Sequence, residues 1–171
     1  MRKINWKYLV ILSVITLFAA VQLATGGSST KTAGTDIKMP AADPDALWNY
    51  ITKVSPYKKW KFWPDHKGMQ AGRAPHGPFH KVYVNEQAFT SKKPPVKYGA
   101  IEVKENYNRE KKLAVITVMY RIKGFNPSAG DWFWAKYTPD GKAKPFGKPK
   151  GCISCHGTKA TNDFIMVHEF K

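Results

Sequence analysis

The chain has only two cysteines, Cys152 and Cys155, and both fall in one five-residue run, so no thiols remain for a structural disulfide framework. It is also short of acids, with 12 Asp and Glu against 28 Lys and Arg and a formal charge of +16. A balance that basic suits an acidic redox partner or an anionic membrane surface, or it reflects no more than solvated lysines. Long apolar runs are scarce too. The one present, Tyr8 to Ala24, is broken by Ser13, Thr16 and Gln22 and sits at the short limit for spanning a bilayer. It follows the basic Met1-Arg2-Lys3 and Lys7 and precedes the small residues Thr25, Gly26 and Gly27, the pattern of a signal peptide over residues 1–26. Cleavage near Gly26 and retention as an N-terminal membrane tether both stay open. No cysteine lies near this segment, which excludes a lipoprotein anchor. Residues 27–42, rich in Gly, Ser, Thr, Lys and Pro, read as a flexible linker. The folded domain is then 43–171, a length that supports one domain around one core.

The most specific feature is Cys152-Ile153-Ser154-Cys155-His156. In a Cys-x-x-Cys-His run the two thiols are spaced to add to the vinyl groups of a haem, and the adjacent imidazole then serves as axial ligand. The competing readings are a disulfide, a redox dithiol and half of a zinc site. A zinc site needs a second ligand pair, and the nearest further histidine, His168, has none beside it. A thioredoxin-type dithiol sits early in a βαβ pattern, whereas this pair comes at the end of a chain without one. The expectation is one covalent haem c per chain, held by Cys152 and Cys155 with His156 on the iron. Covalent haem c is attached outside the cytoplasm, so the expected location is the periplasm. Nucleic acid is thereby excluded as the counterpart of the positive charge.

The remaining chain reads as α+β. Asp43-Pro44 is a helix start, and Leu47, Tyr50, Ile51 and Val54 recur at helical spacing up to Pro56. Tyr57, Trp60, Phe62 and Trp63, interleaved with Lys58, Lys59 and Lys61, are expected to wall the haem, together with Phe79. Strands are predicted at Phe79 to Val84, at Ala100 to Glu105, at Leu113 to Tyr120 and at Trp132 to Tyr137. Short connections argue for an antiparallel sheet with a few flanking helices. Residues 106–112, 124–130 and 139–151 read as turns and loops. Only fifteen residues follow His156, with Met166 their one methionine. Met119 lies in an apolar strand where packing is the default, so an open, five-coordinate iron is favoured over a methionine-closed one.

Pro75-His76-Gly77, Tyr83-Val84-Asn85, Val103 to Tyr107, Thr117 to Tyr120, Gly130 to Trp134 and Cys152 to His156, in that order, resemble the cytochrome c′-beta and cytochrome P-460 family over roughly Leu47 to Phe170. The resemblance implies a sheet-rich homodimer with a proximal histidine. It also implies one of two functions: nitric oxide binding at an open haem, or hydroxylamine oxidation on a haem carrying an extra lysine cross-link. The cross-linking lysine of the oxidising members falls on Lys104. Where those members carry an arginine this chain has His80, whose roles here are ligand hydrogen bonding, proton relay or plain solvent exposure. Their catalytic glutamate aligns near Ile116, in a strand without any acid, which favours gas binding. Glu105, beside Lys104, is the substitute base, although neighbouring strand residues point to opposite faces.

Overall fold

The computed structural model describes residues 38–73 and 75–170. The expected signal segment, and the linker as far as residue 37, lie outside the described residues. At the linker's end the structure departs from expectation. Met39 packs on the core, its sulfur accepting from the Tyr50 hydroxyl at 3.4 Å, and the Pro40 carbonyl accepts from the Tyr120 hydroxyl at 3.0 Å. Two aromatic hydroxyls therefore tie down residues whose own composition reads as linker.

Helix α1 (Pro44–Asn49) starts where Asp43 caps it, the carboxylate accepting the Ala46 N–H at 2.8 Å with proline at the first turn. It runs on as a π-helical turn, Tyr50–Val54. Leu47, Tyr50 and Ile51 are buried as their spacing predicts, but Val54 is 49% exposed. The wider π turn, closed by Ser55 N–H on the Tyr50 carbonyl at 2.8 Å, rotates it off the apolar face.

Among the described residues seven strands form one antiparallel sheet: β1 (Lys61–Phe62), β2 (Gln70–Ala71), β3 (Phe79–Val84), β4 (Ile101–Tyr107), β5 (Leu113–Arg121), β6 (Trp132–Tyr137) and β7 (Ala143–Gly147). The order is β1-β3-β4-β5-β6-β7, and β2 shares the β3 edge with β1. The four strands rich in β-branched and aromatic residues lie where their sequence places them. The three further strands fall where the sequence reads as loop or aromatic segment. They are short, two of them contain Lys and one contains Pro145, and their pairing comes from the edges of β3 and β6. Helix α2 (Glu86–Phe89) is one turn long, capped by Asn85.

Both faces of the sheet are covered. On one, α1 and its π turn pack with Tyr57, Tyr83, Val103, Ile116, Tyr120, Phe133 and Tyr137. On the other, Val82, Val84, Met119, Trp132 and Trp134 pack with Trp63, Phe164 and Ile165. Antiparallel pairing sets the residues of the second face in rows across the strands: His80 beside Asn106; Val82, Lys104, Thr117 and Lys136; Val84, Glu102, Met119 and Trp134. Successive rows are about 6.8 Å apart, two residues of strand rise. Among the described residues no helix is long and apolar enough to cross a membrane.

Candidate haem-binding site

Helix α3 (Lys150–His156) carries the Cys-x-x-Cys-His run. Three-residue spacing on a helix sets Cys152 and Cys155 on one face. Neither is engaged in a disulfide. With His156 they line a cavity of about 420 Å³ against the second face of the sheet.

His156 is oriented by the chain that follows it. Its Nδ1 lies 2.8 Å from the Phe164 carbonyl oxygen, and a carbonyl only accepts, so the proton sits on Nδ1 and the Nε2 lone pair is left for a metal. Trp134 meets the ring edge-on at 4.6 Å. Burial pushes the imidazole's pKa down, opposed by the Phe164 hydrogen bond and assisted by Lys104, which favours the neutral, ligating form. The Phe164 carbonyl is in turn held by a clamped turn. Asp163 and Phe164 adopt left-handed backbone, φ 53° and 65°. The Asp163 carboxylate accepts the Val96 N–H at 2.8 Å and sits 3.7 Å from Arg121 Nε, and its carbonyl accepts the Trp132 indole N–H at 3.0 Å. Nothing in the sequence reading singled out Asp163 or Phe164, since their role depends on contacts far away in the chain.

The sheet supplies the opposite lining. Trp134, against His156, and Met119 and Glu102 come from one row, Lys104, Thr117 and Lys136 from the next, and His80 from the third. The cavity therefore runs about 14 Å along the strands, from the His156 end past Lys104 to His80. Lys104 faces it, as the resemblance implies, and burial lowers its pKa against the pull of Glu102 and Cys155. His80 is 95% buried and lines the cavity, so it does not face solvent. Its Nε2 lies 2.7 Å from His66 Nε2, and His76 joins them in the lining with Arg73 and Gly72. Gly72 has no room for a side chain: an added Cβ would stand 2.3 Å from the Gly77 carbonyl and 3.0 Å from His80 Nδ1. Buried and near Lys104, His76 and His80 are both held down to about 4.

Three expectations need correction. Glu105 is not at the cavity. It lies on the first face, accepts from the Tyr57 and Tyr107 hydroxyls at 2.7 and 2.6 Å, and pairs with Lys58 at 3.7 Å. Ile116, opposite Glu105 in the ladder, packs in the same core, while its neighbour Thr117 meets the cavity, as does Met119. Period-two alternation decides both cases. Nor do Trp60, Phe62, Trp63 or Phe79 line it. Trp60 and Phe62 pack against the first core, and Phe79 is half-buried at the start of β3. Trp63 is buried in the second core, where its indole N–H donates to Glu102 at 2.7 Å.

The acid missing from β5 is instead present on β4. Glu102 is 6% exposed and lines the cavity, with burial pushing its carboxyl pKa up against Trp63 and Lys104. Two-residue spacing from Lys104 was the available signal for Glu102. His66 and His76 carried none beyond being histidines.

The residues present fit a covalently held haem: free thiols at the attachment spacing, a neutral imidazole with its ligating nitrogen left open, and a cavity that all three share. No curated protein matches the chain. A family model, Cytochrome P460, matches residues 54–167, a span from the end of the π turn to the last cavity-lining residue. Since the match covers well over half of the sequence and takes in Cys152 to His156 and the Lys104 strand, this chain belongs to the cytochrome P460 family and is a haem protein of the c type.

Proposed function

We propose that this cytochrome binds nitric oxide or a similarly small nitrogen species in the cavity where Cys152, Cys155 and His156 would hold a haem. Cys152 and Cys155 would hold the macrocycle, and His156 Nε2 would take the iron. When bound, the haem supplies an iron that coordinates such ligands and changes oxidation state. The observation that carries the proposal is the 2.7 Å contact between His80 and His66. It commits the Nε2 nitrogen of His80, a buried strand histidine in the cavity lining, to His66 and so takes that nitrogen out of competition with an exogenous ligand. The purified ferrous protein should be high-spin and bind nitric oxide and carbon monoxide without displacing a protein ligand. A low-spin ferrous spectrum unchanged by carbon monoxide would refute this.

Hydroxylamine oxidation is the second reading, favoured by Glu102 and Lys104 lining the same cavity. Burial raises the carboxyl's pKa and lowers the amine's, so both are pushed toward their neutral forms, the direction expected of groups that exchange protons with a bound molecule. Mass spectrometry of haem peptides separates the two. A Lys104 peptide attached alongside Cys152 and Cys155 supports the oxidising reading, and its absence supports gas binding. Export to the periplasm, homodimerisation and an acidic redox partner belong to the same proposal. Each can be checked on expressed protein, by fractionation, sedimentation and salt dependence of electron transfer.

A further inference from the structure

The chain that follows the Asp163-Phe164 turn runs along the haem cavity. Ile165 is 1% exposed and packs in the second core. The next two residues, Met166 and Val167, line the cavity, and Met166 is also 40% exposed, so its side chain stands between the cavity and solvent. His168 and Phe170 then return to the core. His168 stacks on Trp63 with centroids 4.3 Å apart and planes within 10°, and Phe170 meets the Trp63 ring edge-on at 5.9 Å. Trp63 in turn holds Glu102 of the cavity lining, so this stack also braces the residue that orients the cavity's acid.

Residues 166–170 form a strap that is fastened by side chains. Among the described residues its backbone makes no hydrogen bond to other backbone, and it belongs to no strand or helix. The Asp65 carboxylate accepts from His168 Nδ1 at 2.6 Å and from the Glu169 N–H at 3.3 Å. Asn162 donates to the Ile165 and His168 carbonyls at 2.9 and 2.6 Å and accepts the Phe170 N–H at 3.4 Å. An exposed Lys159–Glu169 pair adds little. Lifting the strap therefore costs these few bonds and the stack on Trp63, and leaves every strand pairing intact. We infer that residues 166–170 are a gate on the haem cavity, latched at Asp65, which opens to admit a small uncharged ligand past Met166. Two apolar side chains, Met166 and Val167, flank this entry, which suits a diatomic gas better than a hydrated ion. The gate rests on the open cavity proposed above and adds the entry route and what holds it shut.

The test uses the ferrous holoprotein with carbon monoxide as the probe. After flash photolysis, the second-order rebinding rate should rise about 10-fold for Asp65→Ala, the shift in an opening equilibrium when one hydrogen bond to a charged group is lost. Asp65→Asn keeps an acceptor for His168 and for the Glu169 N–H and should restore a rate near that of the wild type. Hydrogen exchange reads the latch separately: the Glu169 and Phe170 amides should exchange faster in Asp65→Ala while β4 and β5 stay protected. Unaltered exchange at those two amides overturns the latch. Faster exchange with an unaltered rebinding rate overturns the gate. Met166 belongs to neither core, so substitutions there leave the fold intact and test the entry even where Asp65→Ala loosens the whole domain. Met166→Ala should speed rebinding and Met166→Trp slow it, and equal rates for the two overturn entry past Met166. A wild type that binds no carbon monoxide sinks the open-site proposal instead, whatever the strap amides show.

Discussion

His76 and His80 take their character from burial first and from the charge of Lys104 second. Both are held down to about 4 from an ordinary 6.5, so between those limits the unfolded chain binds more protons than the folded one. Stability then rises with pH across that window. The contribution is fully present above 6.5 and is lost as pH falls toward 4. Thermal melts taken from neutral pH downward should show a falling Tm over this range, with a shallower slope for His80→Gln. A wild-type Tm flat across the window would contradict the assignment. At Trp63 the interaction is a single hydrogen bond to a buried acid. Trp63→Phe removes the donor and leaves the Glu102 carboxyl underserved, at a cost of about 1–3 kcal/mol. Urea denaturation measures it.

Strand alternation governs what an added acid does on β5. Ile116 is 2% exposed, packs away from the cavity and pairs with Glu105. Ile116→Glu would therefore set a second carboxylate in an apolar core beside an existing one, and it should destabilise by about 3–5 kcal/mol, as for a buried charge without its partner. Thr117→Glu, one residue on, puts the acid at the cavity and should be much better tolerated. Ile116→Glu folding as stably as the parent would mean that Ile116 does not face the apolar core. Helix α3 makes a complementary case, because a helix brings residues 152 and 155 to one face while a strand would have separated them.

The whole molecule converges on the turn after α3. Arg121 on β5 reaches Asp163, and its guanidinium also donates to the Val96 and Gly130 carbonyls. Three separate stretches of chain thus hold the turn whose Phe164 carbonyl orients His156. Removing one partner of a buried ion pair is costly, and Asp163→Ala should lower stability by about 3–5 kcal/mol. It should also perturb the iron's axial ligation, since the His156 tautomer is set one residue away. Chemical denaturation and the electronic spectrum of the holoprotein read the two effects separately. A variant with reduced stability and an unaltered spectrum would show that the Phe164 carbonyl holds its place without the clamp.

Local chemistry made a large part of this protein legible. The Asp43-Pro44 cap starts the helix, and the β-branched and aromatic runs locate the four central strands, because each signal acts within a few residues. The edge strands, the placement of Met39 and the Asp163 clamp were not legible, since each depends on a partner tens of residues away. The cavity shows the same division. Cys152, Cys155, His156, Lys104 and His80 were nameable from motif and resemblance. Which acid joins them was settled by strand parity, which turns Glu102 inward and Glu105 outward, and which bases join them by a loop that folds His66 onto His80. Residue identity sets which groups can do chemistry. Only tertiary contact decides which of them face the same space, because facing is a property of register and packing rather than of composition.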